Sequence, residues 1–107
     1  WKEMFFYYIG GPDDIEPGFM NIPEPGPACR PAEKQTAPVI VPGLVFGRDF
    51  FRIGYGGGFY DRFFEREPVH WKAGVCYEFQ LTDAVLSEEH DVRMDCIVTP
   101  DRCLKRK

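Results

Sequence analysis

The run Arg52-Ile53-Gly54-Tyr55-Gly56-Gly57-Gly58-Phe59-Tyr60-Asp61-Arg62 decides how the rest of this chain is read. Four of the five residues at 54–58 are glycine. Glycine in a helix or strand interior costs about 0.5–1 kcal/mol against alanine, so this stretch is a loop whose bare backbone a ligand can approach closely. Downstream, Tyr60, Phe63 and Phe64 recur at three- and four-residue intervals, which predicts a helix over residues 59–66 with one apolar face. Glu67-Pro68 ends it. A glycine loop opening into a helix N-terminus presents unpaired N–H groups and the positive end of the helix dipole, the combination that suits a phosphate. A plain flexible connector is the competing reading. Arg52 before the loop and Asp61 in the first helical turn favour the phosphate, since they add an anion partner and a carboxylate of the kind magnesium uses.

Neither familiar glycine fingerprint fits. A Walker loop needs Lys-Ser or Lys-Thr after its last glycine, where Phe59-Tyr60 stands, and a dinucleotide loop needs a third glycine at the helix start. Working outward, Val39-Ile40-Val41 is a compact β-branched run closed by Pro42-Gly43, read as a buried parallel strand with the glycine loop at its carboxyl end. Further strands are expected over residues 4–9, 73–77 and 96–99, with Gly74 leaving room for a close approach. Residues 13–16 supply one helical turn, and residues 18–38 are proline-rich extended chain. Asp95 stands just before the last of these strands, positioned to aim a carboxylate at the site of Asp61.

Composition bounds the rest. A length of 107 residues, 44% of them hydrophobic and 16% aromatic, predicts one packed α/β domain over residues 1–107. A net charge of −4 gives no reason to expect a nucleic-acid partner, and no apolar stretch reaches the about 20 residues a membrane helix needs. The cysteines Cys29, Cys76, Cys96 and Cys103 form no Cys-x-x-Cys pair, so zinc is not expected; they read as reduced thiols of a cytoplasmic protein.

Val41-Pro42-Gly43-Leu44-Val45-Phe46, the run from Arg52 to Arg62, His90-Asp91 with Asp95, and Asn21-Ile22-Pro23-Glu24-Pro25 upstream together resemble the 5-formyltetrahydrofolate cyclo-ligase family (5,10-methenyltetrahydrofolate synthetases). The match runs in order from about Met4 to Thr99 and lacks the family's basic amino-terminal helical region. The resemblance implies a three-layer α/β/α, Rossmann-like fold with a mainly parallel sheet, truncated at its amino end. It implies ATP as co-substrate, Mg2+ and a reduced folate. By it, Arg52, Gly54, Tyr55, Gly56, Gly57, Gly58, Phe59 and Asp61 hold the nucleotide, and Asp61 and Asp95 hold the metal. Met20, Pro23, Glu24 and Tyr60 then contact the folate, with Arg52 and Tyr60 as the catalytic pair. The chain departs from the family at Gly47 (an aspartate there), Phe50 (a turn glycine) and Phe59 (a tyrosine). Its open half-pocket should leave Phe5, Met20 and Phe59 uncovered and prone to self-association. Weak magnesium–ATP binding with little turnover is expected of residues 1–107, and turnover once the upstream region is added. A non-catalytic nucleotide-binding or scaffold domain of the same fold is the alternative.

Overall fold

The computed structural model describes all residues except 1, 2, 34, 35, 57 and 86–91. His90 and Asp91 therefore lie outside the described residues, as does Gly57. Where the sequence reading expects one domain, the chain divides into two compact units, Phe5–Gln35 and a larger one made of Trp1–Met4 with Thr36–Lys107.

The expected strand over residues 4–9 does not form; within the smaller unit an isolated bridge joins Tyr7 to Pro31. This segment has no partner ladder long enough to make aromatic composition into a strand. Pro12–Asp14 makes a single 3-10 turn, and the proline-rich stretch forms a short antiparallel pair, β1 (Ile15–Pro17) with β2 (Pro23–Pro25). Between them, Phe19–Asn21 makes a tight turn with Met20 and Asn21 at positive φ.

The larger unit runs β3 (Val39–Val41), β4 (Val45–Gly47), β5 (Arg52–Ile53), α1 (Phe59–Arg66), β6 (Lys72–Val75), β7 (Leu81–Thr82), β8 (Cys96–Val98) and β9 (Cys103–Lys105). Its main sheet has the order β3-β6-β8-β9, parallel through β8 with β9 antiparallel at the edge. A second sheet, β5-β4-β7, pairs β4 antiparallel with β5 and parallel with β7. The helix expected over 59–66 and the strand at 39–41 stand at those residues. The strand expected at 73–77 is Lys72–Val75, and the one at 96–99 is Cys96–Val98.

Register explains which residues are core. Val39, Lys72, Val41, Gly74 and Ile97 share one face of the main sheet, against which Phe63 and Phe64 of α1 and Phe46 of β4 pack. A Cβ at Gly74 would stand 2.4 Å from the Phe46 ring, so the close approach expected at this glycine is made by that ring. On the opposite face Ile40, Val75 and Val98 are 69%, 45% and 37% exposed. The three-layer arrangement is thus not what the described residues show: α1 covers one face of the sheet, and no described helix covers the other.

Polar groups buried under the helix are satisfied. His70 lies 2.7 Å through Nδ1 from the Ala37 carbonyl and 3.1 Å through Nε2 from Glu67 Oε1. Lys72 Nζ donates to the His70 carbonyl at 2.9 Å and the Pro68 carbonyl at 3.3 Å, under the Phe64 ring. Burial without such partners would be costly, and here each group has one.

The departures at Gly47 and Phe50 also have a physical reading. Asp49 Oδ1 occupies the space a residue-47 side chain would fill, 2.1 Å from where its Cβ would stand. From there the Asp49 carboxylate accepts from the Val85 and Phe51 N–H groups at 3.0 and 3.3 Å. Phe50 sits at φ 70°, the region that favours glycine. Its ring packs on the core and its carbonyl accepts the Met94 N–H at 2.7 Å, which offsets the strained backbone.

Candidate functional site

The glycine loop connects β5 to α1. Gly58 is the helix N-cap at φ 68°, and its carbonyl accepts the Arg62 N–H at 3.0 Å. A side chain there would be strained and would meet the Arg62 guanidinium at 2.8 Å. Gly54 has a different reason: a Cβ would stand 2.6 Å from Arg52 Nη1, so the guanidinium passes directly against the bare Cα. Two guanidinium groups, of Arg52 and Arg62, therefore flank the loop at glycine positions. Arg62 escaped the sequence reading as a site residue. The signal was its spacing, one helical turn beyond the N-cap.

Arg52, Tyr60 and Asp61 are brought together. Arg52 Nη1 donates to the Pro42 carbonyl at 3.3 Å, its Nη2 lies 3.8 Å from Asp61 Oδ1, and its guanidinium stacks 5.3 Å from the Tyr60 ring centre. The Arg52 side chain is only 6% exposed, against 36% for Asp61. Burial pushes the Tyr60 phenol up from its ordinary value and the Arg52 charge pulls the other way, so the hydroxyl is kept protonated. Because Pro42 directly follows β3, these contacts hold the loop at the carboxyl end of the parallel strands. Open α/β sheets bind ligands at that end. Phe59 is 40% exposed with the Arg62 guanidinium 5.6 Å from its ring centre, and Tyr55 is exposed.

Asp95 is not part of this constellation. It precedes β8, at the amino ends of the same strands, roughly 10 Å of strand length away. There its Oδ2 accepts the Lys72 N–H at 2.8 Å and its Oδ1 pairs with Arg106 at 3.1 Å. The shared crevice expected for Asp61 and Asp95 is thus corrected: standing just before a strand put Asp95 at its beginning, the wrong end. Among the described residues no group of three or more His, Cys, Asp or Glu is placed to hold a metal ion. Asp95→Ala is expected to lower stability by about 1–3 kcal/mol, by orphaning the Lys72 N–H. Denaturant unfolding of the variant beside the wild type checks it.

A crevice of about 690 Å³ opens beside the loop, lined by Pro42, Gly43, Tyr55, Val75, Cys76, Tyr77, Phe79, Gln80, Val98, Thr99 and Pro100. Its floor is the carboxyl ends of β3, β6 and β8. The sequence reading missed it because Tyr77 was counted inside a strand that stops at Val75. Gln80 braces the walls: its amide donates to the Gly43 and Leu44 carbonyls at 3.0 and 3.2 Å and its Oε1 accepts the Tyr77 N–H at 2.8 Å. Beneath, the Thr99 hydroxyl donates to the Glu78 carboxylate, which also pairs with Arg102 Nη2 at 2.8 Å. The Thr99 hydrogen bond first, then Arg102, hold the Glu78 carboxyl below the ordinary carboxylate range. A depressed folded-state value contributes stability above the ordinary range, lost as pH falls through the lowered value. The melting temperatures of the wild type and Glu78→Gln are accordingly expected to converge on acidification.

Met20, Pro23 and Glu24 belong to the smaller unit. Met20 is 77% exposed at φ 56°, and the Glu24 carboxylate lies over Gly18, where a Cβ would overlap it. Phe5, Met20 and Phe59 are all exposed, as expected.

The family model for the 5-formyltetrahydrofolate cyclo-ligase family matches residues 3–100. A 5-formyltetrahydrofolate cyclo-ligase of Saccharomyces cerevisiae is 33% identical over 96 residues, covering 82% of this chain and 45% of the yeast protein. One from Mycolicibacterium smegmatis is 35% identical over 82 residues, 74% of this chain and 42% of its own length. The solved structure of Aquifex aeolicus 5,10-methenyltetrahydrofolate synthetase superposes with a TM-score of 0.83 at 27% identity, over 98% of this chain and 54% of that one. The chain spans less than half the length of these two curated relatives. It belongs to the 5-formyltetrahydrofolate cyclo-ligase family.

Proposed function

We propose that this chain carries the nucleotide side of an ATP-dependent cyclo-ligase that converts 5-formyltetrahydrofolate to 5,10-methenyltetrahydrofolate. The observation that supports it most is the glycine loop. In a chain of this family, it stands at a helix N-terminus and at the carboxyl end of parallel strands, with Arg52 and Asp61 held against it. The reaction needs no protein nucleophile. The formyl oxygen takes the γ-phosphoryl group, the neighbouring amine attacks the activated carbon, and phosphate leaves as the ring closes. What the protein supplies is position and charge. In this reading the N–H groups of Gly54, Gly56 and Gly58, with Gly57 by sequence, face the phosphates. Arg52 supplies a fixed cation, and the protonated Tyr60 hydroxyl is a donor toward the reacting oxygen. Met20, Pro23 and Glu24 contact the folate. Magnesium neutralises phosphate charge when bound, with Asp61 as a carboxylate at that end; one carboxylate plus substrate phosphates is an ordinary magnesium set.

The test follows the ultraviolet absorbance of methenyltetrahydrofolate with 5-formyltetrahydrofolate, ATP and magnesium. The 107-residue chain is expected to bind ATP weakly with little turnover. A chain extended to the length of its curated relatives should turn over with an absolute requirement for ATP. ATP binding that does not depend on magnesium, with no turnover in the extended chain, would instead mark a non-catalytic nucleotide-binding domain.

A further inference from the structure

The four cysteines are free thiols, and two of them meet on the face of the main sheet that α1 does not cover. In the β8–β9 ladder Cys96 stands opposite Lys105, and Val98 opposite Cys103. The Arg106 N–H donates to the Asp95 carbonyl at 3.0 Å, and the Thr99 N–H to the Arg102 carbonyl at 2.8 Å. Alternation along an antiparallel pair then makes 96/105 and 98/103 the non-hydrogen-bonded positions, where side chains approach most closely. Cys96 and Cys103 sit on one diagonal between these two positions. Same-face diagonal neighbours are within reach of each other, and the Cys96 thiol is in hydrogen-bonding contact with Cys103 and with the Trp71 indole. Ile97 faces the core, so Cys96 points the other way, yet it is only 7% exposed. Cys103 is open to solvent. The chemistry proposed above uses neither thiol.

We infer that Cys96 and Cys103 form a reversible oxidation site, closing an intrachain disulfide across β8 and β9 when a peroxide reaches the exposed thiol. The Cys103 sulfur, as thiolate, attacks one peroxide oxygen and the O–O bond breaks. Cys103 becomes a sulfenic acid, and the proton its thiol gave up joins the departing hydroxide as a first water. The Cys96 sulfur then attacks the sulfenic sulfur, the S–S bond forms, and the Cys96 proton leaves with the sulfenic hydroxyl as a second water. Two thiols are oxidised and one peroxide is reduced; a dithiol reverses the step by exchange. Burial assigns the roles. Cys103 meets the oxidant, while burial pushes the Cys96 thiol up from its ordinary value and keeps it as the resolving thiol. A disulfide needs Cα atoms within about 7 Å, and a flat diagonal spans about 7–8 Å. Right-handed strand twist shortens one diagonal, and β9 is an edge strand paired only with β8, so it can make the remaining shift. The bond would bracket the turn from Thr99 to Arg102, the two residues that hold Glu78. Oxidation thereby staples the edge strand and the wall of the crevice together.

The experiment treats the folded 107-residue chain with hydrogen peroxide, caps the remaining thiols with N-ethylmaleimide and digests it with trypsin without reductant. Cleavage after Arg93, Arg102 and Lys105 separates the two cysteines. Mass spectrometry is expected to find fragment 94–102 joined to fragment 103–105, and dithiothreitol to part them. Free thiols should fall from four to two. Cys103→Ser, a change at an exposed position, should yield no joined fragments, and Cys29→Ser should yield them as the wild type does. The oxidised wild type should also melt higher than the reduced one, a shift that Cys103→Ser lacks. Cys103 recovered as a sulfinic acid beside a capped Cys96 would overturn the inference. So would Cys103 joined to Cys29 or Cys76, a dimer linked through Cys103, or four thiols still free after peroxide.

Discussion

Phe46→Ala is expected to destabilise the larger unit by about 3–5 kcal/mol, enough to unfold much of the population of a small domain. Phe46 is fully buried between two glycines. A Cβ at Gly43 would stand 3.0 Å from its ring and one at Gly74 only 2.4 Å. The ring fills the gap between β4 and the middle of the main sheet, and both neighbours are small because it is large. Removing it leaves a cavity that the paired strands β3 and β6 cannot close without losing register. The converse substitution, Gly74→Ala, overpacks the same spot and should cost about 1–3 kcal/mol. Urea unfolding of the single and double variants separates the terms. Phe46→Leu should recover part of the Gly74→Ala loss. If Gly74→Ala is equally harmful with Phe46 truncated to alanine, the steric account is wrong and the glycine is needed for its backbone instead.

The second large effect concerns Arg52. Arg52→Ala is expected to weaken binding of magnesium–ATP and of tripolyphosphate alike, and to lower turnover of the relative-length protein by about a hundredfold. One guanidinium meets the Pro42 carbonyl, the Asp61 carboxylate, the Tyr60 ring and the backbone at Gly54. Lysine keeps the charge but not the flat fork that reaches an acceptor on each side, so Arg52→Lys should fail to rescue. Restoration of phosphate binding by lysine would show that a point charge suffices and that the bracing described here is incidental. Tyr60→Phe is the companion variant: it should spare phosphate affinity, since the ring face that stacks on Arg52 remains.

Much of the helix and parallel-strand plan was legible because it rests on short-range signals. Tyr60, Phe63 and Phe64 at helical spacing, and Val39-Ile40-Val41 stopped by Pro42, carry their own structure in a few residues. Residues 4–9 carried the same β-rich composition as a strand and formed none, since a ladder also needs a partner and composition cannot supply one. Asp95 was misplaced for a related reason. Nearness to a strand in sequence does not say which end of it faces the ligand, and here the Lys72 N–H claims the carboxylate at the amino edge. The crevice was invisible because its walls come from segments far apart in the chain, near Pro42, Tyr77 and Thr99. Phe50 is the reverse case. It looked out of place in a turn, and only its positive φ, its packed ring and the Met94 bond to its carbonyl explain how it stays there.

The Gln80 amide reaches back 37 and 36 residues of sequence to Gly43 and Leu44 while also holding the nearby Tyr77. The two segments consequently cannot breathe independently: any opening that frees one carbonyl also releases the turn that carries Tyr77 and Phe79. In amide hydrogen exchange they would report as a single cooperative unit. The Tyr77 amide, which bonds to a side chain and lies outside any strand, would exchange at the rate at which the mouth of the crevice comes apart.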